Sequence, residues 1–237
     1  MFEVDLHTHT LMSTCGIHSL IEMLTAAKNA GLKGLAVTDH GYLLGGKMPS
    51  TFFDRLVNPV EGIELFKGAE LNLEGESSRT DIEERLIPFC DILLLGLHDT
   101  IPKDRGRDYN TGRLIEAIEK NPYIDGITHP NSTGFPVNYT PLAKTAAEYG
   151  VALELNNSKV KYRRVSDSET RELIRVCRDT GCPVMVNTDS HAMNELGDTS
   201  RIERMIREED LPQTQIVNRT LETVKTWLDS RRKNKKR

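Results

Sequence analysis

The stretch VDLHTHT, residues 4–10, places two histidines on one side of a predicted strand, just where that strand ends. Side chains two residues apart in a strand point the same way, so the imidazoles of His7 and His9 converge beside Asp5. An isolated pair of this kind is also typical of two hydrogen-bonded polar residues at a strand end. The rest of the chain therefore has to distinguish a metal site from ordinary polar packing.

Seven short apolar runs predict buried strands that alternate with helices. The strands are predicted at Phe2–Leu6, Gly34–Thr38, Gly62–Leu71, Ile92–Leu97, Ile124–Thr128, Val151–Leu155 and Val184–Thr188. Helical patterns with recognisable ends are SLIEMLTAAKNAG, TPLAKTAAEYG with Thr140 as N-cap, SDSETRELIRVCRDTG and TLETVKTWLDSRR. This alternation predicts an α/β protein: a distorted seven-stranded (β/α)7 barrel resembling a TIM barrel, with an open doubly wound sheet as the alternative.

The chain is predicted to be a single domain over residues 1–237, because it contains no linker, repeat or low-complexity segment. Residues 41–61 and 99–112 are rich in glycine, proline and charge, and we expect them to be long loops on the side of the functional site. The basic tail RRKNKKR, residues 231–237, is predicted to be solvated.

The charge distribution favours cations over nucleic acid as partners. The chain carries 31 basic and 35 acidic side chains, and six of the basic ones lie in the tail, so the body has a net charge of −10. No apolar run is long enough to cross a membrane, and MFEVDLH lacks the basic segment of a signal peptide. Four cysteines without a C-x-x-C pair indicate a reduced protein without disulfides, so we expect a cytoplasmic location.

Six of the seven histidines follow the carboxyl end of a predicted strand. These six are His7, His9, His40, His98, His129 and His191, while Glu70 lies in the third strand and Asp189 precedes His191 by two residues. Carboxyl ends of parallel strands meet at one rim, where α/β enzymes keep their sites. Imidazole and carboxylate are ligands for zinc, iron and manganese, and one zinc takes about four of them. At least eight candidates therefore predict two or three metal ions, with Glu70 as a bridge.

These residues lie in motifs that resemble one known family. DLHTHT, AVTDHG, the glutamate of strand three, GLH, ITHP, LELNNS and NTDSH occur in the order typical of the PHP superfamily (polymerase and histidinol phosphatase). The match spans nearly the whole chain and is most similar to small stand-alone bacterial PHP phosphatases. It implies a trinuclear site, usually zinc. The implied ligands are His7, His9, Glu70 and Asp189 for the first metal, Glu70, His98 and His129 for the second, and His40 and His191 for the third.

The chain departs from the family pattern at the last ligand of the third metal. Where related proteins have histidine or aspartate, this chain has Cys15, in STCGIHS. A cysteine thiolate is a good zinc ligand, so Cys15 is the first candidate. His18, three residues on, is the alternative, and a weak or absent third site is the remaining one.

The expected activity is hydrolysis of a phosphate monoester on a small substrate. No Walker loop or serine triad signature occurs, so a metal-bound hydroxide is the expected nucleophile. His191 or Asp39 is expected to orient it or to protonate the leaving group, although Asp39 would serve equally by fixing a histidine tautomer. Arg164 aligns with a basic residue of related phosphatases and is expected to bind phosphate, in a loop that also carries Lys159, Lys161 and Arg163.

Three other functions use similar parts. A metal-dependent amidohydrolase would need a lysine at a strand end, which this chain lacks. A PHP-type 3′–5′ exonuclease would need a basic groove, which the acidic body argues against. A non-catalytic metal-binding module would be expected to have lost ligands, whereas this set is nearly complete.

Overall fold

The strands of the chain form one parallel sheet in sequence order. A computed structural model describes residues 2–47, 49–98 and 103–235. The strands are β1 (Val4–Asp5), β2 (Gly34–Val37), β3 (Glu64–Leu71), β4 (Ile92–Leu95), β5 (Gly126–Ile127), β6 (Ala152–Asn156) and β7 (Val184–Asn187). Each pairs in parallel with the next along the chain. All seven predicted strands are confirmed, each shorter or shifted by a few residues at its ends.

Helices cover the outside of the sheet. Those of the described residues are α1 (Leu20–Asn29), α2 (Ser50–Arg55), α3 (Arg107–Lys120), α4 (Tyr139–Tyr149), α5 (Asn157–Lys161), α6 (Asp167–Thr180), α7 (Ser200–Glu208) and α8 (Leu221–Lys235), with short 3-10 turns between some of them. Ser19 and Ser166 begin α1 and α6 with capping boxes. The N-cap of α4 is Asn138 rather than Thr140, because Pro141 is tolerated anywhere in the first turn, where the N–H groups have no helical partner.

The two predicted loops contain helical structure. Residues 41–61 include α2, which buries Phe52 and Phe53, and α3 begins within the second segment, at Arg107. The buried apolar residues of α3 are Leu114, Ala117 and Ile118, all after residue 112. The segment 99–112 therefore shows no helical spacing of apolar residues, and the start of α3 could not be recognised there. Residues 99–102 lie outside the described part of the chain.

The sheet closes into a barrel through backbone and side-chain hydrogen bonds between the β1 and β7 segments. The amide of Leu6 donates to Oδ1 of Asn187 at 3.0 Å, and the amide of His9 donates to the carbonyl of Ser190 at 2.8 Å. Asn218 also links β1 to β7 across this seam, the gap where the first and last strands meet, since its Nδ2 donates to the carbonyls of Val4 and Val186. The result is the nearly closed barrel of the prediction rather than an open sheet.

Apolar side chains pack on both faces of the strands. The outer layer lies between strands and helices, and the inner layer fills the lower half of the barrel. Alternate residues of β4 separate cleanly, with Ile92 and Leu94 inside and Leu93 and Leu95 outside. α8 closes the bottom by packing Val224 and Leu228 onto the inner layer.

The basic tail is not solvated where it begins. α8 continues to Lys235, and Arg231 is buried with 4% of its surface exposed. Its guanidinium donates to the carbonyls of Pro122 and Ile124 at 3.2 and 2.6 Å. The expectation of a solvated tail was wrong for Arg231, because these carbonyls beneath the barrel provide the hydrogen bonds that its burial requires. Among the residues that the structure describes, no helix has the length and apolar character to cross a membrane.

Candidate metal centre

The predicted ligand atoms of the first metal lie at the spacing of a tetrahedral site. Nε2 of His7 is 3.1 Å from Nε2 of His9, 3.3 Å from Oε2 of Glu70 and 3.4 Å from Oδ1 of Asp189. Nε2 of His9 is 3.5 Å from the same Glu70 oxygen and 3.3 Å from the same Asp189 oxygen. Four ligands held about 2.0–2.1 Å from a zinc ion lie roughly 3.4 Å from one another. Five of the six distances among these atoms therefore match a tetrahedral zinc site, and His7, His9 and Asp189 form one group whose ligand atoms lie within 4.8 Å of one another.

Glu70 faces two groups of histidines with its two oxygens. Oε2 lies near His7 and His9 and is 3.1 Å from Nδ1 of His40. Oε1 lies 3.4 Å from Nε2 of His98 and 3.0 Å from Nε2 of His129. Nδ1 of His40 is buried and makes no hydrogen bond within the described residues. A carboxylate with ligand atoms beside both oxygens is suited to bridging two cations.

A third group of ligand atoms surrounds Cys15. Its sulfur and one nitrogen each of His9, His40 and His191 all lie within 4.8 Å of one another. Cys15 is exposed, and hydrogen bonds from His191 and His40 outweigh its partial burial and lower the pKa of the thiol to about 6. His18 lies elsewhere, with Nδ1 accepting from the amide of Met193 at 3.4 Å.

The second ring nitrogens of several histidines are held by fixed partners. Nδ1 of His7 lies 2.7 Å from Glu154, Nδ1 of His98 lies 2.6 Å from Oδ1 of Asn72, and Nδ1 of His191 lies 2.8 Å from the carbonyl of Asp189. Such contacts fix the tautomer and leave the other nitrogen free to bind a metal. This pattern is typical of metal-binding histidines.

The charges of the cluster are strongly coupled. Burial alone raises the pKa of a carboxyl group, but His7 and neighbouring cations hold the pKa of Glu70 and of Asp189 well below its usual range. Burial also disfavours the charged form of His7, yet Glu154, Glu70 and Asp189 raise its pKa well above its usual value. The carboxylates are therefore ionised and ready to bind cations.

Two residues of the cluster occupy a backbone conformation that side chains rarely adopt. His129 has φ of 31° and Asp189 has φ of 52°. Left-handed backbone costs about 1 kcal/mol or more for residues other than glycine and is enriched at functional sites. In both cases the residue follows a strand end and turns its side chain into the cluster.

Asp39 does not take the position expected of a catalytic residue. Its two carboxylate oxygens accept hydrogen bonds from the amide and the hydroxyl of Thr10, both at 2.7 Å. Asp39 thus anchors the loop after β1, which carries Cys15, and these two are the only hydrogen bonds of its carboxylate within the described residues. Neither a proton-transfer role nor the fixing of a histidine tautomer matches these contacts.

A cleft of about 1120 Å³ opens beside the cluster. His98 and His129 lie at its inner end, and Arg164 lines it with an exposed side chain. Lys159 also lines it, and its ammonium lies 3.1 Å from Oδ2 of Asp189. A phosphate ester in this cleft would meet cationic groups next to the predicted ligands.

The sequence interpretation did not identify Glu154 and Asn72 as parts of the site. Glu154 could have been recognised from the sequence ALELN, because a charged residue is rarely buried within a strand unless it has a partner. Asn72, by contrast, follows β3 among both polar and apolar residues, and no sequence pattern there indicates a functional residue. Glu74, four residues after Glu70, pairs with Arg79 at 3.1 Å and lies outside the three ligand groups.

Comparison with known proteins identifies the family. The PHP domain model matches residues 5–175. A probable phosphatase of Tolumonas auensis is 34% identical over 236 residues, covering 98% of this chain and 96% of that protein. A probable phosphatase of Caldicellulosiruptor bescii is 33% identical over 230 residues, covering 95% of each.

The fold agrees with this assignment. Histidinol phosphate phosphatase of Lactococcus lactis, solved with zinc, L-histidinol and phosphate, has a TM-score of 0.63 to this chain at 14% identity, covering 89% of this chain and 94% of that one. The residues that match the family model include the strand ends that carry His7, His9, His40, His98 and His129, and the structural similarity shows the same fold. The chain therefore belongs to the PHP domain family.

Proposed function

We propose that this chain is a metal-dependent phosphatase that removes the phosphoryl group from a small phosphate monoester at a cluster of two or three metal ions. Family membership and relatives named as probable phosphatases support the enzyme class. The proposal of a shared metal cluster rests on the position of Glu70. Its two oxygens each lie 3.0–3.5 Å from imidazole nitrogens of different groups.

The ligand atoms suggest how the ions would be shared. The first would be held by His7, His9, Glu70 and Asp189, the second by Glu70, His98 and His129, and the third by Cys15, His40 and His191. His40 also reaches Oε2 of Glu70, the oxygen that faces the first group, at 3.1 Å, so it lies between the first and third groups. Imidazole, carboxylate and thiolate together suit zinc, and iron or manganese fits all but the thiolate position well.

When bound, the metals supply a deprotonated water at neutral pH and neutralise the phosphoryl oxygens. The protein side chains supply the rest of the binding. Lys159 lies against Asp189 and is placed to bind a phosphoryl oxygen, and Arg164 lines the same cleft with a guanidinium suited to bidentate contact. Burial opposes the charge of Lys159, but Asp189 and Glu70 raise its pKa, so it remains cationic.

His191 is better suited to holding a metal than to transferring a proton. Its Nδ1 lies 2.8 Å from the carbonyl of Asp189, so Nδ1 carries a hydrogen and donates it there. Only Nε2 remains, and it lies in the group that contains Cys15. One nitrogen cannot both bind a metal and protonate a leaving group, so we keep the ligand role and set aside the proton-transfer role.

The test combines metal content with activity. Tag-free protein should carry two to three equivalents of metal by elemental analysis and hydrolyse p-nitrophenyl phosphate, and chelation should abolish the activity. His9→Ala and Asp189→Ala should lower kcat/KM by about 100-fold or more, since each removes a predicted ligand. His18→Ala is the matched control and should behave as wild type.

Three results would contradict the proposal. One is a metal content below about one equivalent after reconstitution with zinc. Another is wild-type turnover in both ligand variants. The third is degradation of single-stranded DNA much faster than any monoester, which would favour the exonuclease reading.

A further inference from the structure

We propose that the cleft contains a second anion site, formed by Arg163 and Arg201, and that the substrate carries a second anionic group, a carboxylate or a phosphate, besides the phosphoryl group that is removed. The inference rests on the proposed function, because it takes the metal cluster as the place where the first anionic group is bound.

The two arginines are held together by one carbonyl group. The carbonyl of Val160 accepts from Nη1 of Arg201 at 3.1 Å and from the backbone amide of Arg163 at 3.1 Å. Both side chains line the cleft beside the metal cluster. α5 therefore brings the arginines of two separate segments to the same wall.

α5 also connects this wall of the cleft to the predicted metal ligands. Lys159 contacts Asp189, a predicted metal ligand, and Val160 is the next residue. The amide of Ile202 donates to Oδ1 of Asn157 at 3.3 Å, which attaches α7 to the first residue of α5. Arg163 follows with φ of 57°, a left-handed conformation that turns the chain sharply after α5. Arg163 thus follows Lys159 by four residues, and α7 brings Arg201 to the same part of α5.

Their charges are available to a ligand. Lys161 is paired with Asp198 at 2.9 Å, and Lys159 is assigned above to the phosphoryl group. Arg163 and Arg201 are exposed and form no ion pair within the described residues, and a guanidinium has five donors, of which Arg201 uses one on Val160.

The acidic side chains of the cleft do not cancel this charge. Glu169 accepts from the hydroxyl and amide of Ser166 in the capping box of α6, which leaves Asp167 as the one carboxylate of the lining without such a contact. Arg164, assigned above to the phosphoryl group, adds a third guanidinium. Three guanidinium groups against the two carboxylates of Asp167 and Glu169 leave an excess of positive charge, which favours an anionic ligand.

The size of the cleft accommodates a substrate larger than phosphate. Ligand pockets usually measure about 300–1,000 Å³, so 1120 Å³ leaves room for a body that links two anionic ends. Leu97, Phe135 and Val165 contribute apolar lining between the polar groups. An aliphatic or aromatic linker fits that surface.

The experiment uses alkyl monophosphates of two to six carbons that end in a methyl, a carboxylate or a phosphate group. For the zinc-loaded wild type, kcat/KM at the best chain length should be about tenfold or more higher for an anionic end than for the methyl end. In the Arg163→Gln/Arg201→Gln protein this preference should fall to within about threefold, while kcat/KM for the methyl series stays within about twofold of wild type.

Lys161→Gln is the matched control, because it removes a neighbouring cation whose charge is already paired, and it should keep the wild-type preference. A carboxylate preference and a phosphate preference would each support the site and identify its ligand. Equal kcat/KM for all three end groups in the wild type would overturn it, and so would a preference that survives the double substitution.

A binding measurement separates this inference from the proposed phosphatase function. The alkylphosphonate and the α,ω-alkanediphosphonate of the best chain length are titrated into zinc-loaded protein by calorimetry. We expect the diphosphonate to bind about tenfold tighter and to lose that advantage in the double variant, even if no ester is hydrolysed. Equal affinity of the two phosphonates for the wild type would contradict the second anion site while leaving the phosphatase assignment intact.

Discussion

Cys15 has an environment unlike that of the other cysteines in the chain. It is exposed beside His40 and His191, whereas Cys90, Cys177 and Cys182 are buried. Hydrogen bonds from these imidazoles favour the thiolate, which is both the metal ligand and the reactive form of cysteine. Reactivity of this single residue therefore reports on whether its sulfur is bound.

In metal-free protein, alkylation of Cys15 by iodoacetamide should rise as the pH increases through about 6, since the lowered pKa makes the thiolate the main species above that value. An ordinary thiol would show the same rise near pH 8.5. Zinc should slow the reaction by about tenfold or more, because a coordinated sulfur has lost its free lone pair. Mass spectrometry of the labelled peptide gives the rate.

Variants separate the two candidate ligands. Cys15→Ala should lower zinc content by about one equivalent, and Cys15→His should restore it. If Cys15 is alkylated at the same rate with and without zinc, and His18→Ala rather than Cys15→Ala costs one equivalent, then His18 is the ligand.

At the scale of elements, the turn after β4 decides how closely the cluster can pack. Gly96 follows β4 and precedes His98 by two residues. A Cβ at this position would lie 2.6 Å from Oγ1 of Thr128 and 3.0 Å from Oε1 of Glu70. Thr128 in turn donates to that same Glu70 oxygen at 2.7 Å. The absence of a side chain at Gly96 thus permits β3, β4 and β5 to present their ligands together.

Gly96→Ala should therefore lower metal content by about one equivalent or more while the circular dichroism spectrum stays native, because the added methyl displaces Glu70 or Thr128. Gly112→Ala is the control: no atom lies within 4 Å of its added Cβ, and alanine stabilises a helix interior by about 0.5–1 kcal/mol. Wild-type metal content in Gly96→Ala would show that the turn relaxes without cost to the site.

At the scale of the whole molecule, α8 joins the last part of the chain to the bottom of the barrel. Arg231 donates to three backbone carbonyls there, those of Tyr149, Pro122 and Ile124, and its Nε lies 3.5 Å from Oδ1 of Asp125. Its neighbour Arg232 is about half exposed and pairs with Asp91 at 2.6 Å. The two arginines are adjacent in sequence but differ in burial.

Arg231→Ala should lower the free energy of unfolding by about 3 kcal/mol, since it leaves buried carbonyls without a donor and Asp125 without this charge partner. Arg232→Ala should cost less than about 1 kcal/mol, as expected of a surface ion pair. Urea unfolding at constant zinc concentration measures both. Equal, small effects of the two substitutions would show that the bottom of the barrel does not depend on Arg231.

Much of the fold and the composition of the site followed from local patterns. The seven strands were recognisable because each is a short apolar run bounded by turn residues, and His7, His40 and His129 each follow such a run. Parallel strands present their carboxyl ends at one rim, so position in the sequence was enough to bring these side chains together. The metal roles of the ligands stay predictions that the metal analyses test.

The remaining features depend on contacts between residues far apart in sequence. Asn218 closes the seam between β1 and β7, and Glu154 of β6 holds His7, 147 residues away in the sequence. Asp39 was expected at the cluster from its place beside His40, yet a hydrogen-bonding partner in Thr10 directs its carboxylate elsewhere. Burial of Arg231 likewise follows from carbonyls more than 80 residues away.

The sequence by itself determined which residues reach the rim of the barrel, because hydrophobic period and strand ends are local properties of the chain. Only the tertiary structure decided which nitrogen of each histidine is free, which carboxylates face the cluster and which cations line the cleft. Those outcomes depend on hydrogen bonds and charges across the barrel, whose strengths vary with distance and burial rather than with spacing along the chain.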